Sequence, residues 1–111
     1  MGKLRVGQVI SSTFPFSNLS SGKLRPALVV ASVDFGDVTL CQITSKPYSA
    51  SNPIRLTSKD FREGSLPTAS FIRPDKLFTA EESIVSKVYG EITVAKLEEV
   101  HSAVRALFKS K

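Results

Sequence analysis

Arg25-Pro26-Ala27-Leu28-Val29-Val30-Ala31, followed by Asp34-Phe35-Gly36-Asp37 and then Val38-Thr39-Leu40-Cys41-Gln42-Ile43-Thr44, is the stretch whose reading decides the fold. The first segment is an unbroken apolar run too short for a core helix and rich in β-branched residues, the pattern of a strand buried on both faces. Pro26 is tolerated because the first position of a strand has no ladder bond to lose. The Asp-Phe-Gly-Asp cluster predicts a hairpin turn into a second buried strand that ends at Thr44.

Outward from this hairpin the chain remains β-like almost to its end. Gln8 to Phe14 reads as a strand, followed by a Pro-Phe turn and the polar loop Ser17 to Lys23. A loop rich in Ser, Pro and Asn spans Ser45 to Pro53, and Ile54-Arg55-Leu56 has the alternation of a half-exposed strand. Thr57 to Phe61 predicts one capped helical turn ending near Gly64. Ala69 to Ile72 predicts another strand, closed by Arg73-Pro74-Asp75, and Val85 to Tyr89 a last one. The period then changes: Val94, Leu97, Val100, Val104 and Leu107 recur at helical spacing behind Thr93, a good N-cap. Five to seven short strands with one terminal helix, and no strand–helix alternation, exclude a doubly wound sheet. They favour a mainly β fold, a small antiparallel, barrel-like sheet. At 111 residues the chain fits a single domain, residues 1–111.

Composition narrows the chemistry. Hydrophobic residues make up 41% of the chain, which is globular, and no apolar run approaches the roughly 20 residues of a membrane span. The N-terminus lacks the apolar core of a secretory signal, so a cytoplasmic protein is expected. The single cysteine, Cys41, lies in an apolar segment and reads as a small buried hydrophobe. The single histidine, His101, has no second ligand type near it, which leaves no metal site of the usual Cys/His kind; it reads as a packing or surface residue on the helix flank. The net charge is +5, and it is uneven. Residues 1–80 carry ten Lys/Arg against five Asp/Glu, whereas residues 81–111 carry five of each. The basic excess therefore belongs to the β-rich part, as expected for a polyanionic partner. Phe14, Phe16, Lys23, Arg25, Lys46 and Tyr48 fall around two loops that a barrel would bring together, a basic patch with aromatics interleaved.

Gly22-Lys23-Leu24-Arg25-Pro26 with its apolar run, Ile43-Thr44-Ser45, the Ser65–Arg73 segment ending in Ile72-Arg73, and Gly90-Glu91-Ile92 before an amphipathic helix come in one order and spacing. Together they resemble the MazF/PemK toxin family from about Val6 to Phe108. The resemblance implies an SH3-like, partly barrel-like fold shared with the gyrase-poisoning CcdB toxins. It also implies metal-independent, sequence-selective cleavage of single-stranded RNA by a homodimer without a cofactor, inhibited by the acidic C-terminal tail of a cognate antitoxin. On it Arg25 and Thr44 become the catalytic candidates. Phe16, Lys23, Ser45, Lys46, Tyr48 and Arg73 become RNA-binding candidates, with loops 15–23 and 46–53 choosing the bases. Attack by a ribose 2′-hydroxyl builds negative charge on phosphorus, which a planar guanidinium stabilises bidentately, and a threonine hydroxyl can position the phosphate or the nucleophile. The sequence departs from the family where some members carry Arg-x-Asp, here Thr68 and Ser70, and where Pro74 follows Arg73. With no carboxylate or histidine base in these motifs, either Arg25 takes part in proton transfer or turnover is slow. The rival expectation is a non-catalytic protein on the same scaffold, a CcdB-type gyrase inhibitor or an RNA-binding module.

Overall fold

The computed structural model describes residues 4–13, 24–33, 36–46 and 52–109. Phe16, Lys23 and Tyr48, three of the expected RNA-binding residues, lie outside them. Seven strands, β1 (Gln8–Thr13), β2 (Leu24–Ser32), β3 (Asp37–Thr44), β4 (Ile54–Leu56), β5 (Phe61–Gly64), β6 (Ser70–Glu81) and β7 (Val85–Ile92), precede one helix, α1 (Val94–Leu107). All the strands belong to one antiparallel sheet in the order β4-β6-β3-β2-β1-β7-β5. The expected β2–β3 hairpin stands at its centre, paired Ala27↔Gln42 and Leu28↔Cys41.

This order forces the sheet to curl. Strands β5 and β6 are consecutive in the chain yet lie five strand spacings apart, roughly 24 Å across a flat sheet. From Gly64 to Ser70 the chain takes six Cα steps and reaches at most about 22 Å. Residues 65–69 therefore cross an open end of a half-barrel, and Leu66 packs against the inner face. That face carries Val9, Leu28, Val30, Cys41, Ile43 and Ile72 and is covered by α1 through Val100, Leu97 and Val104. The outer face carries Ile10, Ala27, Val29, Val38 and Leu40, covered by Leu4, Val6 and Phe78.

The helix starts where expected, with the Thr93 hydroxyl accepting from the Lys96 amide at 3.2 Å. His101 does pack on the flank: its Nε2 donates to the Val30 carbonyl at 2.9 Å. Val30 is the residue at which the β2–β3 register slips, so the histidine satisfies a carbonyl at an interrupted stretch of ladder. Lys96 Nζ holds the Arg55 carbonyl at 3.1 Å and so ties the helix to edge strand β4.

Two expectations are corrected. The helical turn at Thr57 is confined to Ser58–Asp60, and Phe61–Gly64 is a strand rather than the end of a helix. Strand β6 does not stop at Arg73 but continues to Glu81 through a wide bulge. Ile43 pairs Ile72 and Cys41 pairs Leu77, which leaves residues 73–76 opposite Gln42 alone. Pro74 sits in that bulge, where no ladder donor is needed. Among the described residues no helix is long and apolar enough to cross a membrane.

Candidate functional site

Where residues 65–69 cross the open end of the half-barrel they roof a cavity of about 310 Å³. Its lining is in part polar and cationic, from Arg25, Thr44, Ser45, Lys46, Thr68 and Ser70, and in part apolar and aromatic, from Pro26, Ile43, Leu66, Pro67 and Tyr89. Arg25 and Thr44 meet here because of strand register. Ala27 pairs Gln42, so two residues further along each strand Arg25 and Thr44 stand level at its end. The sequence placed these two at neighbouring strand ends, and the structure brings them to one cavity together with Ser45 and Lys46.

The states of these groups decide what the cavity can do. Arg25 is exposed and has no ion-pair partner among the described residues, so its guanidinium is available to an incoming anion. The Thr44 Oγ1 accepts a hydrogen bond from the Lys46 amide at 3.1 Å. That bond uses one lone pair and orients the oxygen while leaving the hydroxyl proton to donate. Ser70 is buried and donates its hydroxyl to the Thr68 carbonyl at 2.9 Å, which fixes the start of β6 against the crossing segment. Among the described residues no carboxylate or imidazole lines the cavity. Among the described residues no three His, Cys, Asp or Glu side chains are grouped to hold a metal ion.

Arg73 is placed elsewhere. It lies in the β6 bulge with its Nη2 2.9 Å from the Asp75 carboxylate and its Nε 3.3 Å from the other oxygen. The pairing holds the Asp75 carboxyl below the usual carboxylate range. Arg73 does not line the cavity. Cys41 is fully buried and its thiol is pushed up to about 12 by desolvation first and by the Asp75 charge second, so it is chemically inert. The side-chain hydroxyls of Ser11 and Ser12 are buried without a hydrogen-bond partner among the described residues.

Sequence reasoning did not find Tyr89, Leu66 or Pro67. The available signal for Tyr89 was its place two residues after Lys87 in a strand, which puts both on one face. Leu66 and Pro67 reach the cavity only because of the strand order, which no local pattern encodes.

The architecture is that of the MazF fold. MazF (Form-I) from Deinococcus radiodurans superposes with a TM-score of 0.75 at 19% identity, covering 96% of this chain and 97% of that one. A MazE-MazF complex (Form-III) from the same organism gives a TM-score of 0.71 at 19% identity over 92% of each chain. An endoribonuclease from a mycobacterial species, in complex with its cognate antitoxin, gives 0.69 at 20% identity, covering 96% and 93%. No curated protein sequence matches the chain. The family model described as the PemK-like, MazF-like toxin of type II toxin–antitoxin systems matches residues 5–108, and the chain belongs to that family.

Proposed function

We propose that this protein is the toxin of a type II toxin–antitoxin pair and acts as an endoribonuclease on single-stranded RNA. The observation that carries the reading is the mixed lining of the cavity, in which an arginine with no ion-pair partner among the described residues and an oriented threonine hydroxyl share the space with apolar and aromatic side chains. A nucleotide combines the matching groups, an anionic phosphate and a flat base.

In the proposed reaction the ribose 2′-oxygen attacks the adjacent phosphorus and its proton is lost. The bond from phosphorus to the 5′-oxygen breaks, and that oxygen gains a proton. The products are a 2′,3′-cyclic phosphate and a 5′-hydroxyl end. Arg25 binds two phosphoryl oxygens and stabilises the charge that builds on them. The Thr44 hydroxyl donates to the phosphate or holds the attacking oxygen. Ser45 and Lys46 are further phosphate contacts, and Phe16, Lys23 and Tyr48 are assigned to RNA binding on the family resemblance. Since no carboxylate or histidine among the described residues lines the cavity, either Arg25 takes part in proton transfer or turnover is slow. The basic excess of residues 1–80 suits both the RNA and the acidic tail of a cognate antitoxin. The working protein is a cytoplasmic homodimer that needs no cofactor.

The lack of a carboxylate or histidine in the cavity also favours one rival, an RNA-binding module that does not cleave. Purified wild type, Arg25→Ala and Thr44→Val, incubated with a defined single-stranded RNA, separate the two. The proposed enzyme loses about 10²- to 10³-fold or more of its cleavage rate on loss of Arg25. A wild-type protein that retains the RNA and never cuts it is the binding module.

A further inference from the structure

Tyr89 is the extra residue of a β-bulge. On the β1–β7 ladder Val9 pairs Gly90 and Ile10 pairs Val88, so Tyr89 has no opposite number. Bulges change the direction of a side chain and cluster beside functional sites. This one is fastened to the roof of the cavity, because the Tyr89 carbonyl accepts from the Ser65 amide at 3.3 Å. The ring packs at the edge of the inner core and lines the cavity. Its hydroxyl has no hydrogen-bond partner among the described residues. The exposed Lys87, two residues earlier, carries its Nζ 5.1 Å from the ring centroid.

A half-buried ring held by a bulge, with a cation over it and an arginine lining the same cavity of about 310 Å³, has the parts of a nucleobase platform. We propose that Tyr89 stacks on the base adjoining the scissile phosphate and that Lys87 contacts a neighbouring phosphate, which makes Tyr89 a determinant of base preference. The inference rests on the reading of the cavity as the RNA-cleaving site. Stacking by the ring tolerates every base, so the preference arises not from it but from the phenol hydroxyl at its rim. Tyr89→Phe keeps the first and loses the second.

The test uses a single-stranded RNA made uncleavable by a 2′-deoxy substitution at the attacking nucleotide, with 2-aminopurine on either side of the scissile bond in turn. Wild type and Tyr89→Phe should quench one of the two probes, and Tyr89→Leu should leave both bright. On the cleavable RNA, Tyr89→Leu should lose about 5- to 150-fold in kcat/KM, the measured worth of one stacked base. Tyr89→Phe should lose little rate but flatten the preference among bases at that position. Lys87→Ala should lower the salt dependence of binding by about one counterion. Photocrosslinking of a 5-iodouridine RNA to the wild type should label Tyr89, and this arm does not depend on the Leu variant folding. The assignment is overturned if Tyr89→Leu quenches and cleaves like wild type, or if no crosslink maps to Tyr89, while Arg25→Ala is inactive. An active Arg25→Ala overturns the proposed reaction instead.

Discussion

Adding one methyl group at Gly90 should damage both the fold and the cavity. A Cβ there would stand 2.2 Å from the Glu63 carbonyl oxygen and 2.9 Å from the Gly64 Cα. Both obstacles are backbone atoms, which cannot swing aside as a flexible side chain would. Relief requires strand β5 to move about 1 Å from β7, the one strand it pairs with. At an unhindered strand position Gly→Ala stabilises by about 0.4–1 kcal/mol, because the unfolded chain loses freedom. Here that gain is offset by overpacking of about 1–3 kcal/mol and the loss of one or two ladder hydrogen bonds worth about 1 kcal/mol each. The net expectation is destabilisation by about 2–3 kcal/mol, or a Tm lowered by roughly 8–12 °C for a chain of this size. The functional consequence follows from connectivity, since β5 feeds residues 65–69, which roof the cavity. A 1 Å displacement of that roof should cost about 100-fold in RNA cleavage at temperatures where the variant is folded. Far-UV circular dichroism melts and single-turnover cleavage read the two effects. Gly36→Ala is the control: its φ of +81° carries a local penalty of about 1–2 kcal/mol, but nothing lies within 4 Å and it stands at the far end of β3. A Gly90→Ala protein that melts within about 2 °C of wild type and cleaves normally refutes the close-approach reasoning.

Two further predictions concern groups outside the cavity. Cys41 should resist thiol reagents at pH 8 in the folded protein and react at once in denaturant, as its burial and raised pKa require; rapid labelling of native protein contradicts the packing described. Asp75 has a folded-state pKa below its unfolded value, so its pairing with Arg73 contributes stability above the unfolded pKa near 3.9, and that stability is lost as pH falls through the folded pKa. Asp75→Asn should therefore lower stability by less than about 1 kcal/mol at pH 7, a small figure because the pair is partly exposed, and the difference should shrink in denaturant titrations as pH falls through the folded pKa. A gap that widens in acid would reverse the assigned sign.

Which parts of this molecule were legible in the sequence depends on how local their causes are. The β2–β3 pair and α1 are written in short-range patterns, an apolar run and a 3.6-residue period behind Thr93, and both form, β2 beginning at Leu24, two residues ahead of Pro26. Strand β5 is only Phe-Arg-Glu-Gly, and what makes it a strand is a distant close approach between Gly64 and Gly90. Strand β6 passes through Pro74 because four residues bulge from the ladder there, and a proline taken alone signals an end. The site divides in the same way. Arg25 and Thr44 end strands whose pairing could be foreseen, so they fall together. Tyr89 reaches the cavity through a bulge and Leu66 through a crossing segment, and neither follows from neighbours in sequence. For Arg73 the Arg-Pro-Asp spacing offered a nearby carboxylate, and the structure pairs the two.

The central claim, strand-end Arg25 driving attack by a ribose 2′-oxygen, is tested most directly by identifying the new ends of a cleaved RNA by mass spectrometry, for wild type and Arg25→Ala, with and without EDTA. The account predicts a 2′,3′-cyclic phosphate and a 5′-hydroxyl from wild type in both buffers, and intact RNA from Arg25→Ala. A 3′-hydroxyl with a 5′-phosphate, cleavage abolished by EDTA, or cyclic-phosphate ends from Arg25→Ala at the wild-type rate would contradict it.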